Sequence, residues 1–137
     1  MLKLGAILNF ILAVGHLLCL MCLQQVFCIF GITEIMNKCT TYGEAIPYII
    51  TVIIAFCFFL CGLYALSADG VIRRLPLLKI GIFFIAAVFL LRSFMGAIDI
   101  AHHFSILQFS STIVAAIIGL LYLLGGIRKF HLANRPL

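Results

Sequence analysis

Apolar positions in this chain gather into four stretches, at residues 4–23, 45–66, 75–94 and 104–125, and most charged residues fall in the intervals between them. Each stretch has about the 20 residues that an α-helix needs to cross ~30 Å of hydrocarbon. Backbone inside lipid must satisfy its own hydrogen bonds, so repeated crossings by stretches of this length select helices. The pattern predicts an all-α integral membrane protein, a single bundle of four transmembrane helices formed by residues 1–137.

The longest interval, 24–44, is itself part apolar, with Val26, Phe27, Ile29, Phe30, Ile32 and Ile35. This mixture predicts a short helix lying in the membrane interface in the first outer loop. Lys3 followed by an apolar run imitates a signal peptide, but the run is longer than the ~7 to 15 residues of a signal core and no small-x-small cleavage site follows it. The first stretch is therefore expected to stay as a span.

Composition sharpens the class. The chain is 66% hydrophobic and 9% charged, with a mean hydropathy of +1.33, against about 25% charged residues in a soluble domain. No soluble fold is expected, and the net charge of +5 reads as topology, with no nucleic-acid partner. Lys3, Arg73, Arg74, Lys79, Arg128, Lys129 and Arg135 fall on one side of the expected bundle, Lys38 and Arg92 on the other. Cytoplasmic loops carry the excess of Lys and Arg, so both termini are expected in the cytoplasm, with the chain in a bacterial inner membrane. The expected partner is the bilayer, anchored through the basic tail 128–135 to anionic head groups. Another membrane protein or a second copy could also pack against the bundle.

Depth follows from the helical rise of 1.5 Å per residue. His16 lies 13 residues past Lys3 and Arg92 lies 13 past Lys79, each about 20 Å toward the outer side. Gln108, Ser110, Ser111 and Thr112 enter from that side, as do Tyr48 and Thr51. Polar groups from four helices are thus predicted at one level, and Arg92, His16, Asp99, Gln108 and Ser111 form the candidate ligand site.

Arg92 carries most of the information, because a basic group in a span costs about 2.5 to 3.5 kcal/mol on insertion scales and needs a counter-charge or a route to the interface. Asp99, two turns along the same face with Gly96 between, is its nearest candidate partner; Glu34 and Glu44 are others. Gly5, Asn9, Ala13 and His16 repeat on one helical face, the stripe expected to meet protein. Ser111, Ala115 and Gly119 form a small-xxx-small pattern that lets helices approach closely. His102 and His103, expected in the short loop before the fourth helix, lie near Asp99, but a metal site needs three or four converging ligands and none is predicted.

Six cysteines complete the inventory. Cys28 and Cys39 bracket the first loop and can close it as a disulfide in an oxidising compartment. Cys57 and Cys61 read as small packing residues. Cys19 and Cys22 form C-x-x-C, a redox signature, though at a helix C-terminus the dipole disfavours a thiolate. No catalytic residue and no cofactor are predicted. The expected function is that of an accessory or small-ligand or lipid-binding membrane protein with a polar site in the outer leaflet. The alternatives are a thiol oxidoreductase acting with a quinone and an oligomeric transporter.

Overall fold

The computed structural model describes residues 1–29, 31, 33–102 and 104–132, the last two by backbone alone. Phe30, Ile32, His103 and Arg135 lie outside the described residues. The chain is all-helical: α1 (Leu2–Cys19), α2 (Leu23–Ile29), α3 (Thr33–Thr40), α4 (Ile46–Asp69), α5 (Leu78–His102) and α6 (Ile106–Ile127). Four stretches, Leu2–Ile29, Ile46–Asp69, Leu78–His102 and Ile106–Phe130, are long and apolar enough to span a membrane.

Helix ends follow local chemistry. α1 passes through a 3₁₀ turn at Leu20–Cys22 directly into α2, because no residue there opposes a helix until Gly31, whose φ of 68° turns the chain. Val26, Phe27 and Ile29 therefore belong to the continuation of the first helix and not to a loop. The short helix of this connection is α3. Pro47 stands in the first turn of α4, where its missing N–H costs nothing. Gly70, at φ 84°, ends α4 by donating its N–H to the carbonyls of Leu66 and Ser67, a left-handed cap that glycine adopts without strain.

The connection 70–77 is tied down. Ser67 donates to the Arg73 carbonyl at 3.0 Å and accepts the Leu75 N–H at 2.9 Å. The residue before Pro76 is driven out of the helical region, and α5 begins only after Leu77. It then runs past residue 94 to His102, since Gly96 alone does not interrupt it. Asp99 and His102 consequently lie on a helix and not in the loop expected from the sequence.

α1 packs along α4 and α5 along α6, forming two close pairs that meet across sparser α1–α6 and α4–α5 seams. The starts of α1 and α5 and the ends of α4 and α6 share one end of the bundle, which carries Lys3, Arg73, Arg74, Lys79, Arg128 and Lys129; this is the basic end. Small side chains let the helices close: Ala6, Ala65 and Ala86 are buried around Ile82 and Ile118. Ile11, Leu18, Phe84, Leu91 and Phe94 lie exposed on the outside. An apolar exterior over a core of small residues is the arrangement hydrocarbon favours, where helix association relies on close packing.

Two glycines mark close approaches between helices. A Cβ on Gly119 would lie 2.8 Å from Leu90 Cγ and 3.1 Å from the Leu90 backbone nitrogen, so the small-xxx-small stripe of α6 meets α5 of the same chain. A Cβ on Gly5 would lie 2.7 Å from the Tyr122 ring, a rigid, fully buried neighbour. Gly5→Ala is therefore expected to destabilise the folded protein by about 1 to 3 kcal/mol. Gly15→Ala, with nothing within 4 Å of the added carbon, is expected to be neutral or stabilising by up to ~1 kcal/mol. Denaturant titration of both variants in mild detergent distinguishes the two outcomes.

Candidate functional site

Polar side chains in the half of the bundle away from the basic end mostly bond to their own helices. Thr51 donates to the Pro47 carbonyl at 2.9 Å, Ser110 to Leu107 at 2.9 Å, and Ser111 and Thr112 to Gln108 at 3.0 and 2.8 Å. His16 Nδ1 lies 2.8 Å from the Leu12 carbonyl. A hydroxyl or ring nitrogen that reaches back three or four residues is satisfied without a partner helix. These groups share a level, yet they do not form one connected site.

The expected site residues divide between the two helix pairs. Asp99 and Gln108 are brought together, with Gln108 Nε2 donating to Asp99 Oδ2 at 3.2 Å across α5 and α6. Ser111 joins them only through its bond to the Gln108 carbonyl. His16 sits on α1 with its ring 4.9 Å from that of Phe58, and Phe58 in turn meets Phe89. Among the described residues no hydrogen bond, ion pair or ring contact joins His16 to Arg92.

Arg92 does not pair with Asp99. Among the described residues it has no carboxylate partner; the ion pairs are Lys3 with Asp69 and Lys38 with Glu34. Its Nη1 would be 2.8 Å from a Cβ placed on Gly96, and Thr112 Oγ1 bounds the same slot. The side chain therefore runs one turn along α5 away from the basic end, over the gap that Gly96 leaves beside α6. A guanidinium on a long apolar stem takes this course when its charge is drawn toward a polar surface.

The cysteines are all free thiols, Cys28 and Cys39 included. Cys19 precedes the 3₁₀ turn and Cys22 ends it, half-buried and exposed respectively. Among the described residues no three His, Cys, Asp or Glu side chains gather closely enough to hold a metal ion, and His102 is exposed.

A polar connection that does cross helices lies nearer the basic end. Asn9 Nδ2 donates to the Gly5 carbonyl at 3.0 Å and to the Tyr122 hydroxyl at 2.9 Å. That hydroxyl donates to the Cys61 carbonyl at 2.8 Å. Asn9 and Tyr122 are both 0% exposed, so one phenol ties α1, α4 and α6 together in a dry core. Asn9 Oδ1 is buried without a hydrogen-bond partner. Sequence reasoning placed Asn9 on a protein-facing stripe but missed Tyr122. The signal was present: Ser111, Ala115, Gly119 and Tyr122 repeat at the same spacing as Gly5, Asn9, Ala13 and His16.

Compared with family models, curated proteins and solved structures, the chain gives no match.

The Gly96 slot gives a direct check on the Arg92 geometry. Gly96→Ala is expected to cost about 1 to 3 kcal/mol, because its methyl meets Thr112 Oγ1 and the Arg92 guanidinium. Adding Thr112→Ala is expected to restore at least half of that loss. Strictly additive destabilisation in the double variant would show that the slot is not closed by Thr112.

Proposed function

We propose that this protein is a non-enzymatic, multi-pass protein of a bacterial inner membrane, both termini cytoplasmic, that binds a lipid phosphate through Arg92 in the outer leaflet. Arg92 supports this reading: a cation within an apolar helix, without a protein counter-charge among the described residues, its guanidinium directed away from the basic end. At 13 residues past Lys79, and reaching a further turn to Gly96, the charge stands about 25 Å along α5. That is about 5 Å short of the far face of a ~30 Å hydrocarbon layer, close to the head groups. Seven of the nine Lys and Arg residues favour the opposite end as cytoplasmic, and the exposure of Ile35 on α3 fits a helix resting in the outer interface.

A guanidinium presents a planar fork of donors that matches a phosphate. Gln108 and Ser111 shape the neighbouring surface, and Asp99, already engaged by Gln108, limits the site to one anionic group. His16 contributes no contact to this position and belongs to the packing of α1 on α4.

A second reading rests on the 3₁₀ turn Leu20–Cys22, capped by Cys19. Residues three apart eclipse in such a turn, which favours a thiol pair that closes to a disulfide and passes two electrons and two protons to a quinone. Thiol trapping from the outer side, with both cysteines permanently reduced in an oxidising compartment, would remove it.

For the phosphate reading, Arg92→Gln is expected to lose most of the anionic lipid that copurifies with the protein, measured by native mass spectrometry. Arg92→Lys is expected to keep the greater part of it. Equal lipid occupancy in all three proteins would contradict the proposal.

A further inference from the structure

The basic end of the bundle holds an open cleft of about 280 Å³, lined by Met1, Leu2, Asp69, Gly125, Arg128 and Lys129. It lies by the helices that the Tyr122 hydroxyl joins, α1, α4 and α6, one to two turns nearer the basic end than that bond. Its floor is apolar and tightly built: a Cβ on Gly125 would stand 2.7 Å from Leu2 Cγ, so the absence of a side chain at 125 is what lets α1 and α6 close beneath the cleft. Its walls are charged. Arg128 and Lys129 follow α6 in a π-helical turn, both are exposed, and among the described residues neither has a carboxylate partner. Asp69 lines the same cleft, with Lys3 Nζ 3.4 Å from its Oδ2.

The charges select the ligand. With Asp69 paired to Lys3, the lining side chains Arg128 and Lys129 are left without a carboxylate partner among the described residues, and one of them is a guanidinium suited to two-pronged contact with a phosphate. The volume falls just below the ~300 to 1,000 Å³ typical of small-molecule pockets, which suits a head group or a small phosphate ester. We infer that this cleft is a phosphate-binding site, separate from Arg92, in which Arg128 and Lys129 hold the anion and Asp69, paired with Lys3, completes the lining. Both cations come from the π-helical turn that follows α6, so the site forms only where the Gly125 contact with Leu2 brings α1 up to that turn. A membrane phospholipid and a soluble phosphate ester offer the same chemistry, and the test separates them.

The test uses the full chain in uncharged detergent, in an Arg92→Gln background so that the other cation does not contribute. Short-chain phosphatidylglycerol, phosphatidylcholine and inorganic phosphate are titrated separately, with thermal unfolding and direct binding as readouts. Phosphatidylglycerol is expected to bind, and Arg128→Gln with Lys129→Gln to weaken it at least tenfold. Asp69→Asn, which frees Lys3, is expected to strengthen it several-fold. Arg73→Gln with Arg74→Gln removes two cations from the same end but not from the cleft, and is expected to leave binding within twofold of the parent. Binding of inorganic phosphate with the same pattern of variants identifies a soluble phosphate as the occupant; binding of phosphatidylglycerol alone identifies the lipid. The inference is overturned if neither binds, if phosphatidylcholine binds equally, if the Arg128 and Lys129 changes have no effect, or if the Arg73 and Arg74 changes cost as much.

Discussion

The Tyr122 hydroxyl accepts from Asn9 on α1 and donates to the Cys61 carbonyl on α4 while rooted in α6. That single oxygen is the point through which the two helix pairs are held in register. Within each pair, glycine and alanine bring the backbones close and dispersion accumulates along the whole contact. Between the pairs the contacts are sparser, and a directional bond there does more to fix the relative position of the helices than the same bond would inside a pair. Interhelical hydrogen bonds in apolar surroundings contribute about 0.6 to 2 kcal/mol each, enough to select one arrangement among several packings of similar area. Gly5, opposite the Tyr122 ring, exists in the service of this contact, and so does the placement of Leu2 against Gly125 one turn below.

A contrast between level and connection runs through the molecule. Away from the basic end, Thr51, Ser110, Ser111, Thr112 and His16 stand at similar heights but satisfy themselves on their own helices, which makes them compatible with an apolar setting and chemically quiet. What this leaves is the charge that cannot be satisfied in that way. A carbonyl three or four residues back can quiet a hydroxyl, but it cannot neutralise a guanidinium. The two functional proposals follow from that difference: Arg92 at one end, and Arg128 with Lys129 at the other, are cations for which the described part of the chain supplies no carboxylate.

Much of the fold was legible because apolar run length is a strong signal: the four long helices coincide with the four stretches. Their ends were less legible. Arg92 to His102 looks polar enough to stop a span, yet nothing in it opposes helical backbone, so α5 continues; likewise Gln24 and Gln25 do not break the first helix, and only Gly31 does. Arg92 and Asp99 seven residues apart suggested a pair, but a two-turn gap exceeds what the side chains bridge, and Gln108, across the interface on α6, was the nearer partner for the carboxylate. Tyr122 was hidden because an aromatic near the end of an apolar stretch reads as an interfacial residue, and its partners are remote in sequence. The cleft was hidden for a related reason: it depends on Gly125 and Leu2 meeting, which no local pattern announces.

The claim that one buried phenol registers the helix pairs is tested most directly by a double-mutant cycle on Asn9→Ala and Tyr122→Phe, measured by unfolding in mild detergent. The account requires a coupling of about 1 to 2 kcal/mol between the two positions, since either change alone already removes the bond. Additivity within ~0.5 kcal/mol would mean that the two residues act independently and that packing alone sets the arrangement of the bundle.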